Sequence, residues 1–153
     1  MAEFNAYKIP FVYRALFLCF EPFAAFGGTL LLHFAPALFL NTMSPTSKYA
    51  PDNQVIYEQL GATYTLFAFN EAVVLRITKD IRVWKAILIG ILICDAMHLY
   101  GSWVALGGAV FWDPRVWRAE EWVNLGTLWG QAAVRVAFVA GVGLENHARV
   151  KGE

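Results

Sequence analysis

Between Glu21 and Lys48 the chain carries no charged residue, and the run from Pro22 to Ser47 is long enough to cross the hydrocarbon of a bilayer as a helix. A stretch of that kind is either the centre of a soluble helical bundle or a membrane span. Composition separates the two. Of 153 residues, 58% are hydrophobic and only 16% are charged, where a soluble domain carries roughly a quarter charged. That is more apolar surface than one small core can hide. A soluble bundle would also need a polar outer face on each helix, and "LFLCF", "TLLLHFAPALFL" and "AILIGILIC" are apolar all round.

Three further windows join the first, so the expected spans are Phe11–Phe34, Val55–Leu75, Val83–Leu106 and Trp122–Leu144. The latter three contain ionisable residues and are marginal by hydropathy alone. The expectation is an all-α, four-helix transmembrane bundle forming a single integral membrane domain over residues 1–153. The segments between are turn formers: "NTMSPTSKYAPDNQ", the short basic "RITKDIR", and "WDPRVWRAEE". Lys8, Arg14, Arg76, Lys79, Arg82, Lys85, Arg149 and Lys151 fall on one side, against Lys48, Arg115 and Arg118 on the other. The positive-inside bias therefore places both termini in the cytosol, with Trp112, Trp117 and Trp122 as an interfacial belt on the far side.

A net charge of zero gives no reason to expect nucleic acid as a partner. Cys19 and Cys94 lie within apolar runs, so no disulfide framework is expected. The N-terminus lacks a basic n-region, and neither a cleaved signal peptide nor a lipid anchor is expected.

Charges at membrane depth cost roughly 2.5–3.5 kcal/mol each on insertion scales and face protein or a cavity. This chain places several there, and helical spacing sorts them. Arg14, Glu21 and Gly28 recur at seven-residue steps, as do Tyr57, Tyr64 and Glu71. Asp95, His98 and Ser102 share a third face; Asn124, Thr127, Gln131 and Arg135 share a fourth. Four polar stripes on four apolar helices point inward at one another. Glu21 and Asp95 lie roughly 15–18 Å into their spans at 1.5 Å per residue, so Glu21, Asp95, His98, Gln131 and Arg135 are expected to converge near mid-membrane. Glu71 is expected nearer the cytosolic mouth. Pro22, directly after Glu21, is expected to kink its helix and free a backbone carbonyl. "GTLWG" (Gly126–Gly130) reads as a GxxxG packing motif.

The candidate catalytic residues are Asp95, His98, Glu21 and Glu71, with Arg135, Gln131, Asn124 and Tyr64 as substrate-binding or charge-setting groups. Asp95 would orient His98, and three acids against one arginine and one histidine would leave an acid holding a proton. The bland alternatives are a structural ion pair at Arg135 and an Asp95–His98 clasp between helices. No metal or cofactor is expected. One Asp-x-x-His is not the doubled Glu-x-x-His of di-iron bundles, and phosphate-loop and nucleophile motifs are missing.

"YRALFLCFEPFAAFGG", "VIYEQLGATYTLFAFNEAVVLRITKDIRVWKAIL", "CDAMHLYG" and "WVNLGTLWGQAAVRVAFVAGVGLE" resemble, in order, the segments of a fungal family of small four-span membrane proteins of unknown function. The resemblance runs from about Tyr13 to Glu145. It implies the same architecture and, for some members, a link to secondary-metabolite genes. A looser likeness is to the emopamil-binding-protein superfamily, whose buried acids and histidine shift a sterol double bond; no residue role carries over from it.

The expected function is thus a membrane-embedded acid–base isomerase or cyclase acting on a lipophilic terpenoid, sterol or polyketide intermediate, in the endoplasmic reticulum. The bilayer, a lipophilic small molecule and other membrane-bound pathway enzymes are its expected partners. The alternative is a non-catalytic accessory that binds a lipophilic ligand or stabilises a partner enzyme. A proton-coupled carrier fits less well, because one small bundle without an inverted repeat lacks the usual two halves.

Overall fold

Helix formation follows the apolar windows, and their ends follow proline and glycine. The computed structural model describes residues 7–146, so Arg149 and Lys151, counted above toward orientation, lie outside the described residues. Helix α1 (Phe11–Phe34) is continuous and ends at Ala35, which leaves the helical region at φ −144°, ψ 55°. Pro36 disfavours the helical conformation for the residue before it. A second, short helix α2 (Pro36–Met43) starts there, between the first expected span and the turn-forming segment that begins at Asn41. Helix α3 occupies residues 54–77, α4 is Ile81–Leu106, α5 is the single turn Gly108–Phe111, and α6 occupies residues 119–139. Strands β1 (Tyr7–Lys8) and β2 (Glu145–Asn146) pair antiparallel, bringing both ends of the described chain together.

The fourth window stops at Val139, short of Leu144. Gly141 adopts φ +86°, Val142 donates its N–H to the Ala137 carbonyl and Gly141 donates to Phe138, both at 2.9 Å. This pair of bonds is a Schellman stop, which needs a left-handed residue that glycine supplies without a Cβ penalty. Tyr13 donates its hydroxyl to the Val142 carbonyl at 3.0 Å, tying α1 to this turn.

Three of the four long helices contain a widened, π-helical turn: Leu16–Phe20, Asn70–Val74 and Trp122–Gly126. The first has a clear cause. Pro22 has no N–H to give the Leu18 carbonyl, and its ring would crowd that oxygen. The wider turn relieves the clash, and Arg76 Nη2 donates to the freed Leu18 carbonyl at 2.5 Å. The extra residue also shifts the register: Tyr13, Phe17 and Glu21 are buried at four-residue steps, while Arg14 is exposed and leaves the expected stripe.

The helices associate as two pairs, α1 with α3 and α4 with α6. In the first pair a Cβ on Gly61 would sit 3.5 Å from the Thr29 methyl, and Thr29 donates its hydroxyl to the Gly61 carbonyl at 3.0 Å. Small residues let the two backbones approach. The expected "GTLWG" contact is not made: Gly130 has nothing within 4 Å and Gly126 faces Trp122 of its own helix. At the end where β1 and β2 meet, Tyr13, Phe17, Leu75, Trp84, Leu88 and Phe138 form an aromatic plug across both pairs. Phe138 is fully buried and stands edge-on to Tyr13 and Phe17, with centroids 5.0 and 5.6 Å away.

The opposite end is latched by polar contacts. Glu121 accepts the Arg118 backbone N–H at 2.8 Å and pairs with its guanidinium, and that guanidinium donates to the Asn41 carbonyl at the end of α2 at 3.1 Å. The outer surface is apolar: Phe11, Phe23 and Ile77 are each 79% exposed, whereas Glu21 and Glu71 are 2% and Arg135 is 4% exposed. Two helices, α1 and α4, are long and apolar enough to cross a membrane by length and composition.

The Arg118 guanidinium and backbone N–H hold the Glu121 carboxyl below its ordinary value. A carboxyl depressed on folding adds stability above its unfolded pKa of about 4.3, and that contribution disappears as pH falls through the lower folded value. Glu121→Gln is therefore expected to cost about 1 kcal/mol at neutral pH. It should also flatten the acid limb of the melting curve below roughly pH 4.5. Thermal melts in detergent from pH 3 to 7 check both effects.

Candidate functional site

Arg135 comes from α6 one turn before the aromatic plug, on the face that carries buried Leu128, Ala132 and Phe138. Its guanidinium is shared by carboxyls from the three other long helices. Nη1 donates to Asp95 Oδ2 at 2.5 Å, Nη2 donates to Glu21 Oε2 at 2.7 Å, and Glu71 Oε1 stands 3.6 Å from Nη2. Glu71 also lies beside Glu21. All four side chains are at most 11% exposed. The expected ion pair at Arg135 is in the fold a cluster of one guanidinium with three carboxyls.

Above this charge layer, between the helix pairs, is a cleft of about 620 Å³. Seven of the eight residues selected from the sequence line it: Glu21, Asp95, His98, Tyr64, Asn124, Gln131 and Arg135. The remaining walls are mostly Ala, Gly, Leu and Phe side chains from α1, α2 and α6. Phe20 and Ala24 of α1 and Val123 and Thr127 of α6 line the cleft while also being exposed on the outer surface. The opening therefore runs along the groove between α1 and α6.

Glu71 does not line the cleft and is not a mouth residue. It sits in the π-helical turn Asn70–Val74 and is buried. The widened turn carries its side chain into the charge layer, between Arg135 and the plug.

The expected orienting bond from Asp95 to His98 is not made; each side chain reaches a neighbouring helix instead, as the clasp alternative has it. Asp95 turns to Arg135, and His98 Nδ1 stands 3.5 Å from the Tyr64 hydroxyl, with Asn124 beside the ring. Residues three apart on a helix differ by about 60° in direction, and a guanidinium attracts a carboxylate more strongly than a neutral imidazole does. Asn124 Nδ2 donates to Ser102 Oγ at 3.5 Å, so the third and fourth stripes do meet. Gln131 is half-buried on the wall, and Thr127 donates its hydroxyl to the Val123 and Asn124 carbonyls.

Glu21 Oε1, Glu71 Oε1, Arg135 Nε and His98 Nε2 are buried without a hydrogen-bond partner among the described residues. Buried polar atoms are normally satisfied; three of these belong to residues of the cleft wall, Glu21, Arg135 and His98, and one to Glu71 behind it. Among the described residues no three His, Cys, Asp or Glu side chains form a metal-ligand group; the carboxyls face a guanidinium instead.

Gly28 was read only as a stripe member, and the structure gives it a specific task. A Cβ there would lie 2.8 Å from Tyr64 Cδ2 and 3.0 Å from Cε2, inside any normal contact. Gly28→Ala is expected to push the Tyr64 ring toward His98 and narrow the cleft, at a stability cost of about 1–3 kcal/mol. A lowered melting temperature, together with altered Tyr64 fluorescence relative to a Tyr64→Phe control, checks this. Residues 6–145 match the model of a family described as a domain of unknown function, DUF7704. No curated protein matches the chain, and no solved structure does. With nearly the whole length covered, the chain belongs to the DUF7704 family.

Proposed function

We propose that the chain crosses a membrane four times with both termini cytosolic, and that its cleft performs acid–base chemistry on a lipophilic terpenoid, sterol or polyketide intermediate. The membrane placement is supported by an inside-out distribution of residues. Helix α3 exposes Val55, Ile56, Leu66, Phe69 and Ile77, and α6 exposes Trp122, Val123, Trp129 and Val136, while Glu71 and Arg135 are buried and the exposed charges of α3, Glu58 and Arg76, lie toward its ends. A soluble monomer rarely exposes apolar surface on that scale. Each of the two helices is long enough for a hydrocarbon layer of about 30 Å. The endoplasmic reticulum and a place in secondary metabolism, among other membrane-bound enzymes of a pathway, are part of the same proposal.

The observation that carries the chemical reading is the convergence of His98, Tyr64, Asn124, Gln131 and the Glu21–Asp95–Arg135 layer on one apolar-walled cleft. Pockets of about 300–1,000 Å³ with few convergent polar groups are typical small-molecule sites. In a double-bond shift, a carboxyl of Glu21 or Asp95 gives its proton to one alkene carbon. Neutral His98 then takes a proton from a carbon adjacent to the resulting cation through Nε2, and the new double bond forms there. One proton enters and one leaves, so no co-reactant is needed. A cyclase would insert ring closure between the same two steps. Tyr64 holds the other imidazole nitrogen, and Glu71 sets the charge of the layer from behind.

The experiment is solvent exchange. Membranes containing the protein are incubated in D₂O with lipophilic alkenes, and deuterium at carbon is read by mass spectrometry. His98→Ala is expected to lower incorporation by about 10²–10⁴-fold while protein level and melting temperature stay close to wild type. Unchanged incorporation in His98→Ala and Asp95→Asn, with the proteins accumulating normally, would sink the catalytic reading and leave the accessory one.

The structural role of the charge layer is separable. Arg135→Met strips three buried carboxyls of their cation and is expected to destabilise the bundle by about 3–5 kcal/mol. His98→Ala removes no charge partner, only the 3.5 Å contact with Tyr64 and the neighbouring Asn124. Equal losses of melting temperature in the two variants would mean that His98 is itself a structural clasp.

A further inference from the structure

A second concavity, of about 740 Å³, lies at the end of the bundle where β1 and β2 pair, on the far side of the aromatic plug from the cleft. Three cations line it from three places in the chain: Arg14 of α1, Arg76 of α3 and Lys79 of the turn into α4. Thr78 lies beside them, and Ile9, Phe11, Ala15, Leu18, Leu75 and Trp84 form the apolar remainder. No acidic residue is among the described residues lining it. None of the three cations is in a salt bridge among the described residues.

The groove is built rather than incidental. Arg76 is held by the Leu18 carbonyl that Pro22 leaves free and by Cys19 Sγ at 3.7 Å. The turn carrying Thr78 and Lys79 is fixed by Trp84 Nε1 donating to the Thr78 carbonyl at 3.1 Å, and by the Asp80 N–H donating to Thr78 Oγ1 at 3.1 Å. Asp80, next to Lys79 in sequence, is occupied by Arg82 through two side-chain contacts and caps α4. A net positive pocket with apolar flanks therefore faces outward at one rim of the bundle.

We infer that this groove binds the phosphate of an anionic phospholipid: Arg14, Arg76 and Lys79 take the headgroup, and Phe11, Leu18 and Trp84 take the first part of an acyl chain. Arginine forks match phosphate oxygens in a bidentate geometry. Basic pockets between spans at a cytosolic rim are suited to such headgroups. The inference rests on the membrane placement proposed above and not on the catalytic reading. Extraction of the protein from membranes by carbonate wash alone would sink the placement, independently of any lipid measurement.

The test uses the full chain purified in neutral detergent and offered phosphatidylserine and phosphatidylcholine at equal mole fraction, with bound lipid counted by native mass spectrometry. The expected result is one retained phosphatidylserine, preferred over phosphatidylcholine by about tenfold or more. Arg14→Gln with Lys79→Gln removes two cations whose side chains donate no hydrogen bond among the described residues. This variant should lower retention by roughly fivefold per charge, at an unchanged melting temperature. Arg76→Gln is a poorer probe because it also releases the Leu18 carbonyl. Equal retention of the two lipids, or wild-type preference in the double variant, would overturn the assignment. Millimolar inorganic phosphate is the competing arm. Retention that survives it assigns the site to the lipid, and complete displacement overturns that in favour of a soluble phosphate.

Discussion

One guanidinium holds the bundle's interior together. Arg135 ties all four long helices together through charge, because Glu21, Glu71 and Asp95 each come from a different one of the other three. Removing these groups from water costs several kcal/mol per ion, and only close pairing with hydrogen bonds offsets that penalty. The arrangement fixes rotation as well as distance. Small residues bring α1 and α3 into close contact, and the two pairs cannot move apart without stranding a charge. A membrane setting makes the constraint stronger, since apolar faces gain little from meeting one another when the alternative is lipid.

The π-helical turns make that meeting geometrically available. Each inserts one residue into its helix, which rotates everything before it by about 100° relative to everything after. In α1 the turn ends at Phe20 and delivers Glu21 to the interior; in α3 it contains Glu71; in α6 it contains Asn124. In each of these helices one polar side chain of the cleft or charge layer sits at or beside the irregular turn. Wide turns of this kind gather at functional sites. Here one cause is visible in the sequence, Pro22, and its unpaired carbonyl is taken up by Arg76 in the basic groove. The same proline therefore shapes the charge layer on one side and the rim pocket on the other.

Much of the site was legible because helical periodicity reports which face a residue occupies. Seven polar residues picked by spacing alone do line one cleft. Periodicity does not report which partner a side chain selects. Asp95 and His98 share a face, yet Asp95 goes to a guanidinium and His98 to a tyrosine hydroxyl, a choice made by residues 40 and 34 positions away in the chain. Nor does a fixed period survive an inserted residue. Arg14 fell out of the stripe that Glu21 keeps, and Glu71 moved from an expected mouth to the interior, for that one reason. The break at Ala35 and the stop at Gly141 were written in the residues as Pro36 and a positive-φ glycine. Apolar runs on either side hid them from a reading based on hydropathy.

The separation of Asp95 from His98 sharpens the chemistry instead of weakening it. A carboxylate bonded to the imidazole would hold it as a base of fixed orientation but would also favour its charged form. A tyrosine hydroxyl can orient the ring without adding charge. The acids are meanwhile gathered around one cation on the plug side of the cleft, with an imidazole nitrogen left without a partner elsewhere on the wall. On the proposed reading, a proton donor and a proton acceptor would thus be set apart across the cleft and would not be neutralised against each other. A structural clasp needs its polar groups paired. Groups meant to move a proton through a substrate must be kept from pairing until the substrate lies between them.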